Sequence, residues 1–272
     1  MKILVAVDIE GISGVVHSEQ TRAGNPEYER ARRQMSAEAN AAVAGAFEGG
    51  ATAVVVNDSH GDFRNLLAEE IDARAELLLG KPRELGMMAG VDDGCAAVFL
   101  VGWHAKAGGA GILAHTISSF AFARVVVNGT PIGEAGLYGA VAAEFGVPVA
   151  LISGDDAFIA ETSPLFAGVT AVAVKRAFGN QVADSLSPKV AGAAIEAGAR
   201  EAAGRVATLR IAPVERSLQV RVQTTSTAMA DLFALLPIVR RVEPATIEFV
   251  SPTMRHAVRV LNSLSAMSFM LR

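Results

Sequence analysis

The chain has 272 residues, of which 51% are hydrophobic and 19% charged, so intrinsic disorder is excluded and the chain can bury a large core. The net charge of −4 argues against nucleic acid as a partner, because phosphates are neutralised by a basic surface. The single cysteine, Cys95, excludes an internal disulfide and a multi-cysteine metal site, and it favours a reduced, cytoplasmic location. The apolar runs are too short for a signal peptide or a membrane span, so we expect no membrane partner.

The first two thirds of the chain alternate short apolar runs with amphipathic stretches. Strands are predicted at residues 3–7, 52–57, 75–79, 96–101, 148–152 and 169–174. Helices are predicted at residues 27–47, 66–74 and 135–145. A hairpin is predicted around Asn128-Gly129, a pair typical of a type I′ turn between residues 124–127 and 130–132. This alternation predicts an α/β fold with a mostly parallel sheet flanked by helices.

The pattern changes after residue 187. The predicted elements are a helix at residues 188–203, a strand at 218–223, a helix at 228–236, strands at 238–242 and 246–250, and a helix at 252–267. This order predicts a smaller C-terminal α+β domain. We therefore divide the chain into an α/β catalytic domain at residues 1–187, with a metal site at its strand ends, and an α+β domain at residues 188–272 for oligomerisation and pocket closure.

Four potential metal ligands follow three of the predicted strands. Asp8 and Glu10 follow the first strand, His60 the second, and His104 the strand at residues 96–101. Because ligands bind at the carboxyl ends of parallel strands, we expect these side chains to converge on one rim of the sheet. Imidazole and carboxylate groups suit zinc, and one carboxylate could bridge two ions. For either acid alone, a solvated or helix-capping role remains the alternative.

Other polar residues are ambiguous from sequence alone. Glu134 precedes a predicted helix, where a first-turn glutamate is favoured by the helix dipole. His115 lies in an uncharged, glycine-rich stretch, which suits either a lid over a pocket or a buried structural histidine. Asp58 could orient an imidazole, cap a helix or form an Asx turn, and Asp155 is a further candidate for a supporting role.

Together these motifs resemble the DppA-type D-aminopeptidases, a family of zinc peptidases, over most of the chain. The resemblance is carried by Asp8-Ile9-Glu10-Gly11-Ile12-Ser13-Gly14, Asn57-Asp58-Ser59-His60, Gly102-Trp103-His104-Ala105, His115 and Gly133-Glu134-Ala135-Gly136-Leu137. It implies a dinuclear zinc hydrolase with two Zn²⁺ per subunit. The implied ligands are Asp8, which would bridge the ions, Glu10, His60, His104 and Glu134, and His115 matches the residue proposed as catalytic nucleophile.

The resemblance also implies substrates and assembly. Family members remove N-terminal D-amino acids, typically D-Ala, from short peptides, and they form homo-oligomers, namely decamers of two stacked pentamers. Two positions depart from the family pattern. Ala6 stands in place of a serine, which we expect to affect a supporting hydrogen bond, and Tyr138 stands where an asparagine is expected. If position 138 lines the substrate pocket, the preference for D-Ala is open.

Alternative functions remain on the residues alone. A dinuclear metallophosphoesterase would use a similar ligand set, although Lys106 is the nearest cation that could hold a phosphate. A non-catalytic cytoplasmic peptide-binding protein would need no metal. Within the peptidase reading, His115 could attack the carbonyl or transfer protons. We favour proton transfer, because a metal-activated water is already a strong nucleophile.

Overall fold

The computed structural model describes residues 1–211 and 213–272. The strands are β1 (Lys2–Val7), β2 (Ala53–Asp58), β3 (Glu76–Leu78), β4 (Cys95–Val101), β5 (Phe122–Val127), β6 (Thr130–Pro131), β7 (Val149–Asp155), β8 (Thr170–Ala177), β9 (Ala183–Ser185), β10 (Leu218–Thr224), β11 (Arg240–Glu243) and β12 (Thr246–Ser251). The helices are α1 (Pro26–Glu48), α2 (Glu134–Glu144), α3 (Asp156–Thr162), α4 (Pro188–Arg205), α5 (Thr227–Phe233) and α6 (Met254–Ser268). Within the described ranges, no helix combines the length and apolarity needed to cross a membrane.

The first sheet has seven strands in the order β3-β2-β1-β4-β7-β8-β9. All neighbours pair in parallel except β8 and β9, which are antiparallel. The central strands are buried on both faces, as expected for continuous apolar runs in a parallel sheet. The carboxyl ends of β1, β2 and β4 therefore lie side by side, which confirms the predicted α/β fold class.

Two hydrophobic layers cover this sheet. On one face α1 and α4 pack closely together, and a Cβ on Gly45 of α1 would lie 2.1 Å from the Glu196 carbonyl oxygen of α4. Their apolar side chains join the core of β1 and β4 through residues such as Val5 and Ile195. On the other face the core is continuous from the sheet through α2 and α6 to a second sheet.

The second sheet has five antiparallel strands in the order β11-β12-β10-β5-β6. Its central contact joins β5 to β10, with Val125 opposite Val222. The sheet therefore combines residues from both sides of the predicted division at residue 187, while α4 packs on the first sheet. The boundary between sheets does not follow the predicted domain boundary, and the role of residues 188–272 in oligomerisation stays a prediction.

The predicted helix at residues 66–74 is wrong, since this segment contains only a short 3₁₀ turn. Its backbone amides are taken by side chains of neighbouring elements. The Leu66 amide donates to the Asp58 carboxylate at 2.7 Å, and the Leu67 amide donates to the Ser36 hydroxyl at 3.0 Å. Side-chain acceptors thus compete with helical carbonyls for the same donors, and the segment lies along α1.

Candidate active site

Asp8 and Glu10 lie in the turn that follows β1, and both carboxylates are buried. Gly11 brings this turn against the backbone after β4, where its amide donates to the Gly102 carbonyl at 2.8 Å. A Cβ on Gly11 would lie 2.1 Å from the Trp103 carbonyl oxygen. Only glycine permits this close approach, which brings the ligands after β1 beside those after β4.

Asp58 shapes the loop that presents His60. Its carboxylate accepts hydrogen bonds from the backbone amides of His60 at 3.3 Å, Asn65 at 2.5 Å and Leu66 at 2.7 Å. The carboxylate therefore organises the loop backbone in an Asx-type arrangement and makes no hydrogen bond to the imidazole. Of the roles considered from sequence, the turn is the one observed.

Three imidazoles are oriented in the same way. One ring nitrogen of each histidine lies within hydrogen-bond distance of a backbone carbonyl: His60 Nε2 with Thr21 at 2.9 Å, His104 Nδ1 with Ala105 at 3.0 Å, and His115 Nδ1 with Leu113 at 2.9 Å. Since the carbonyl can only accept, that nitrogen carries the proton. The other nitrogen of the neutral ring is then a free lone pair, as in histidine metal ligands.

The free lone pair of His60 faces the two acids after β1. His60 Nδ1 lies 3.1 Å from Asp8 Oδ1 and 3.1 Å from Glu10 Oε2. These three atoms form one group of potential ligands, which we call the β2-side group. It contains two carboxylates and one imidazole, a donor set that suits zinc.

A second group lies on the other side of Asp8. His104 Nε2 is 3.4 Å from Asp8 Oδ2 and 3.6 Å from Glu134 Oε1. Glu134 is the first residue of α2, and it is buried rather than solvated. We call Asp8 Oδ2, His104 Nε2 and Glu134 Oε1 the β4-side group. The two oxygens of Asp8 thus face different groups, which is the arrangement of a bridging carboxylate.

His115 adjoins the β4-side group. Its ring stacks on that of His104 with centroids 4.1 Å apart, and its Nε2 is 3.6 Å from Glu134 Oε1. Of the two readings from sequence, the one that places His115 at a pocket is supported, because its free lone pair faces the cluster. The side chain keeps partial solvent exposure.

The loop carrying His115 is fixed from several directions. Asp155 accepts from the Ile112 amide and, as N-cap of α3, from the Phe158 amide, each at 2.7 Å. Ile117 adopts a φ of 61°, which is unusual for a β-branched residue, and in this conformation its amide donates to the Glu134 carboxylate. Asp155 therefore supports the site through the loop backbone, and α3, which the sequence analysis missed, is the element that it caps.

Burial and mutual interactions shift the pKa values of the cluster. Burial, together with repulsion by Glu10, raises the pKa of Asp8 to about 7. Burial opposes charge on His104, but Glu134 and Asp8 outweigh it and raise the pKa of His104 to about 10. Burial and the adjacent His104 lower the pKa of His115. Such opposed shifts in one buried cluster are typical of functional sites.

The donor atoms fit a metal ion. Glu10 Oε2 and His104 Nε2 are buried, and neither has a hydrogen-bond partner among the described residues. Burying a polar atom without a partner is costly, and a cation placed between these atoms would satisfy both. The ligand atoms of Asp8, Glu10 and His104 lie within 4.8 Å of one another, as do those of His104, His115 and Glu134.

The two departures from the family pattern lie in the core. Tyr138 is 1% exposed, its ring packs edge-on against Trp103 at 6.3 Å, and its hydroxyl donates to Asn262 at 3.1 Å. It therefore joins α2 to α6 rather than facing the cluster, contrary to the expectation that it lines the pocket. Ala6 is also buried, and its carbonyl accepts from Trp103 Nε1 at 2.9 Å.

Sequence reasoning did not single out two buried ionisable residues behind the turn after β1. Lys175 of β8 and Glu38 of α1 both contact the backbone of this turn. A lysine within an otherwise apolar strand was the available signal for Lys175, since a lysine is rarely buried without a specific partner.

Comparison with known proteins agrees with what this cluster can do. Buried carboxylates and imidazoles with unpartnered lone pairs at a sheet rim define a metal-dependent hydrolase, and the chain is an enzyme of that class, a metallopeptidase. Residues 1–263 match the D-aminopeptidases of peptidase family M55, and the chain belongs to this family. The family and enzyme class predicted from sequence are thereby confirmed.

Two relatives are similar over most of the chain. A D-aminopeptidase of Bacillus subtilis (strain 168) is 38% identical over 192 residues, which are 71% of this chain and 70% of the relative. The solved structure of the Zn-dependent D-aminopeptidase DppA from Bacillus subtilis, a self-compartmentalizing protease, gives a TM-score of 0.91 at 29% identity. That match covers 99% of this chain and 98% of the other.

Proposed function

We propose that the protein is a zinc-dependent aminopeptidase that hydrolyses N-terminal D-amino acids, of the D-Ala type, from short peptides through a dinuclear centre. The observation that carries this proposal is Asp8, whose two carboxylate oxygens face two different groups of potential ligands. Family membership and the similarity to a Zn-dependent D-aminopeptidase support the metal and the substrate class.

In this proposal the β2-side group and the β4-side group each hold one Zn²⁺, and Asp8 belongs to both. The ligands are Asp8, Glu10, His60, His104 and Glu134. Bound zinc ions would polarise the scissile carbonyl and lower the pKa of a water molecule. The chain supplies fixed lone pairs, because each imidazole is already oriented by a backbone carbonyl.

His115 is the residue assigned to proton transfer. Its Nδ1 is engaged by the Leu113 carbonyl, so Nε2 is the atom available to accept and return a proton beside the β4-side group. The loop contacts of Ile112 and Ile117 hold this ring in place. A positioned imidazole of this kind contributes on the order of 10²–10⁴-fold to a rate.

The alternative functions gain no support from the site. Lys106, the nearest candidate for holding a phosphate, has its ammonium 2.7 Å from the Glu161 carboxylate. A cation already paired in this way is a poor phosphate ligand, which disfavours a phosphoesterase. A non-catalytic peptide-binding role is disfavoured by membership of a peptidase family.

We also propose that the protein acts in the cytoplasm as a homo-oligomer, a decamer by resemblance to its family. The similar Bacillus subtilis structure is that of a self-compartmentalizing protease. The chain exposes large apolar side chains around the β8–β9 hairpin and the start of α4, including Phe178, Val182 and Val190. Exposed apolar surface of this kind suits contact with a further subunit.

The test is metal content and hydrolysis of D-Ala-D-Ala by protein purified without chelator. We expect two zinc ions per chain, a mass near ten chains by light scattering, and D-Ala release that chelation abolishes and zinc restores. Asp8→Asn should lower both metal content and activity, whereas the same change at the exposed Asp92 should lower neither. Two metals without D-peptide cleavage would redirect the assignment to other amides, and absence of metal would overturn it.

A further inference from the structure

The turn after β1 carries two of the proposed ligands, and we call residues 8–15 the metal loop. Asp8 directly follows the strand, but Glu10 lies beyond it, so the direction of the Glu10 side chain depends on the loop backbone. Within the loop, the amides of Ile12 and Val15 donate to the carbonyls of Ile9 and Ile12, each at 3.2 Å. These are long contacts, and they leave several loop carbonyls free for other donors.

Lys175 supplies those donors from the other side of the sheet. It lies near the end of β8, three places from β1 in the sheet order, and is 3% exposed. Its Nζ lies 2.6 Å from the Glu10 carbonyl, 3.0 Å from that of Ile12 and 2.6 Å from that of Val15. An ammonium has three N–H donors, so these three carbonyls use all of them.

The partners of Lys175 are unusual for a buried cation. Among the residues that the structure describes, no carboxylate lies within ion-pair distance of its ammonium. A buried charge without a counter-ion is costly, and an apolar side chain of similar length would fill the same space at lower cost. What the lysine adds is a set of three hydrogen bonds, all directed to the metal loop.

Glu38 of α1 holds the same loop through an amide. Its Oε1 accepts from the Ser13 amide at 2.9 Å, and the residue is 2% exposed. The metal loop is therefore fixed through its carbonyls by an ammonium on β8 and through an amide by a carboxylate on α1. Two elements on which no proposed ligand lies thus set the backbone of the loop.

We propose that Lys175 is a positioning residue that holds the Glu10 backbone so that the Glu10 carboxylate faces His60 in the β2-side group. The inference rests on the proposed function, because it takes Glu10 as a metal ligand. Lys175 touches neither the ligand atoms nor the space between them. It acts through the three carbonyls, and Glu38 acts with it through Ser13.

Charge and position predict opposite effects of removing this lysine. A positive charge near a cation site disfavours the cation, so losing that charge alone would tighten zinc binding. Losing the three hydrogen bonds would release the loop and weaken zinc binding. The sign of the change in zinc affinity therefore separates a positioning role from an electrostatic one.

The experiment is zinc titration of the metal-free wild-type chain and of Lys175→Met, in competition with a chromophoric chelator. We expect the affinity of the weaker of two zinc ions, or of the single ion if only one binds, to fall about 10–100-fold, the usual range for loss of a group that orients a ligand. Unchanged or tighter binding would overturn the proposal. Ile195→Ala, a core substitution in α4, is the control for a general loss of stability, and it should leave zinc affinity unchanged.

Two further arms keep the outcome decisive. If Lys175→Met does not fold, Lys175→Arg retains the charge, but a planar guanidinium cannot place donors on the same three carbonyls, so zinc affinity should still fall. Unchanged affinity in Lys175→Arg would then overturn the positioning role. A wild-type chain that binds no zinc would overturn both proposals, whereas a zinc-binding wild type with an equally strong Lys175 variant would overturn this one alone.

Discussion

At the scale of single residues, the site depends on protons as much as on ligand identity. His60, His104 and His115 each give one N–H to a backbone carbonyl, which leaves the other nitrogen as a lone pair facing a carboxylate. The sequence predicts the residue types but not this choice of nitrogen, because the acceptor carbonyls belong to loops whose course is set by tertiary contacts. The fixed tautomers make the three rings suitable for different tasks.

His115→Ala tests the division of those tasks. Since His115 is assigned to proton transfer and not to metal binding, the variant should keep the wild-type zinc content while kcat falls about 10²–10⁴-fold. Zinc analysis and steady-state kinetics on the same preparation measure both. Loss of zinc would make His115 a ligand, and a trapped acyl-imidazole on the wild type would show covalent attack instead.

Glu38 gives a prediction of pH-dependent stability. Burial raises its pKa from 4.5 to about 7, while Lys175 and its hydrogen bonds to Ser13 oppose the shift. The folded chain thus keeps the proton over a range in which the unfolded chain releases it. The resulting stabilisation is complete below about pH 4.5 and is lost as the pH rises through 7.

Glu38→Gln keeps the acceptor oxygen and removes the titration. The free energy of unfolding of the variant, relative to wild type, should therefore increase by on the order of 2 kcal/mol between pH 5 and pH 8. Urea unfolding at the two pH values measures this difference, in which the titration of other groups cancels. A difference that does not change with pH would contradict the shifted pKa of Glu38.

At the scale of elements, the strand ends were predictable and the loops were not. Apolar runs followed by Asp8, His60 and His104 predicted a shared rim, because parallel strands end at the same edge. Glu134 needed the family resemblance, since a glutamate at a helix start has an ordinary explanation. The helix predicted at residues 66–74 is wrong because Asp58 and other side chains take its amides, a contact that local periodicity does not reveal.

Gly11→Ala tests the contact between the loops after β1 and β4. The new methyl group would meet the Trp103 carbonyl oxygen at 2.1 Å, and since both sides are backbone the two loops must separate. We expect a loss of roughly 1–3 kcal/mol in the free energy of unfolding, together with weaker zinc binding. Gly204→Ala in α4 is the control, because nothing lies near its Cβ position and alanine favours a helix. Equal stability of both variants would contradict this prediction.

At the scale of the whole molecule, the two sheets share the chain. The chain leaves the first sheet after β4, passes His115, adds β5 and β6 to the second sheet, and returns with Glu134 at the start of α2. The hairpin between His115 and Glu134 is held by β10, so the β4-side group depends on the C-terminal third. This dependence was not visible from sequence, because pairing of β5 with β10 joins two predicted domains.

Truncation after residue 187 tests that dependence. The shortened chain retains all six proposed site residues but loses α4, which covers α1, and β10, which pairs with β5. We expect it to lack cooperative unfolding and to bind zinc at least tenfold more weakly than the full chain. Circular dichroism with thermal melting and zinc titration measure these properties. A folded fragment with full zinc affinity would support residues 1–187 as an independent domain.

The pairing of β5 with β10 also has a consequence during protein synthesis. All six proposed site residues lie between positions 8 and 134, whereas the strand that fixes the hairpin between the last two begins at position 218. The ribosome therefore releases the acids and histidines long before the strand that arranges the final pair. We expect the centre to be among the last regions to become ordered, although its residues are among the first made.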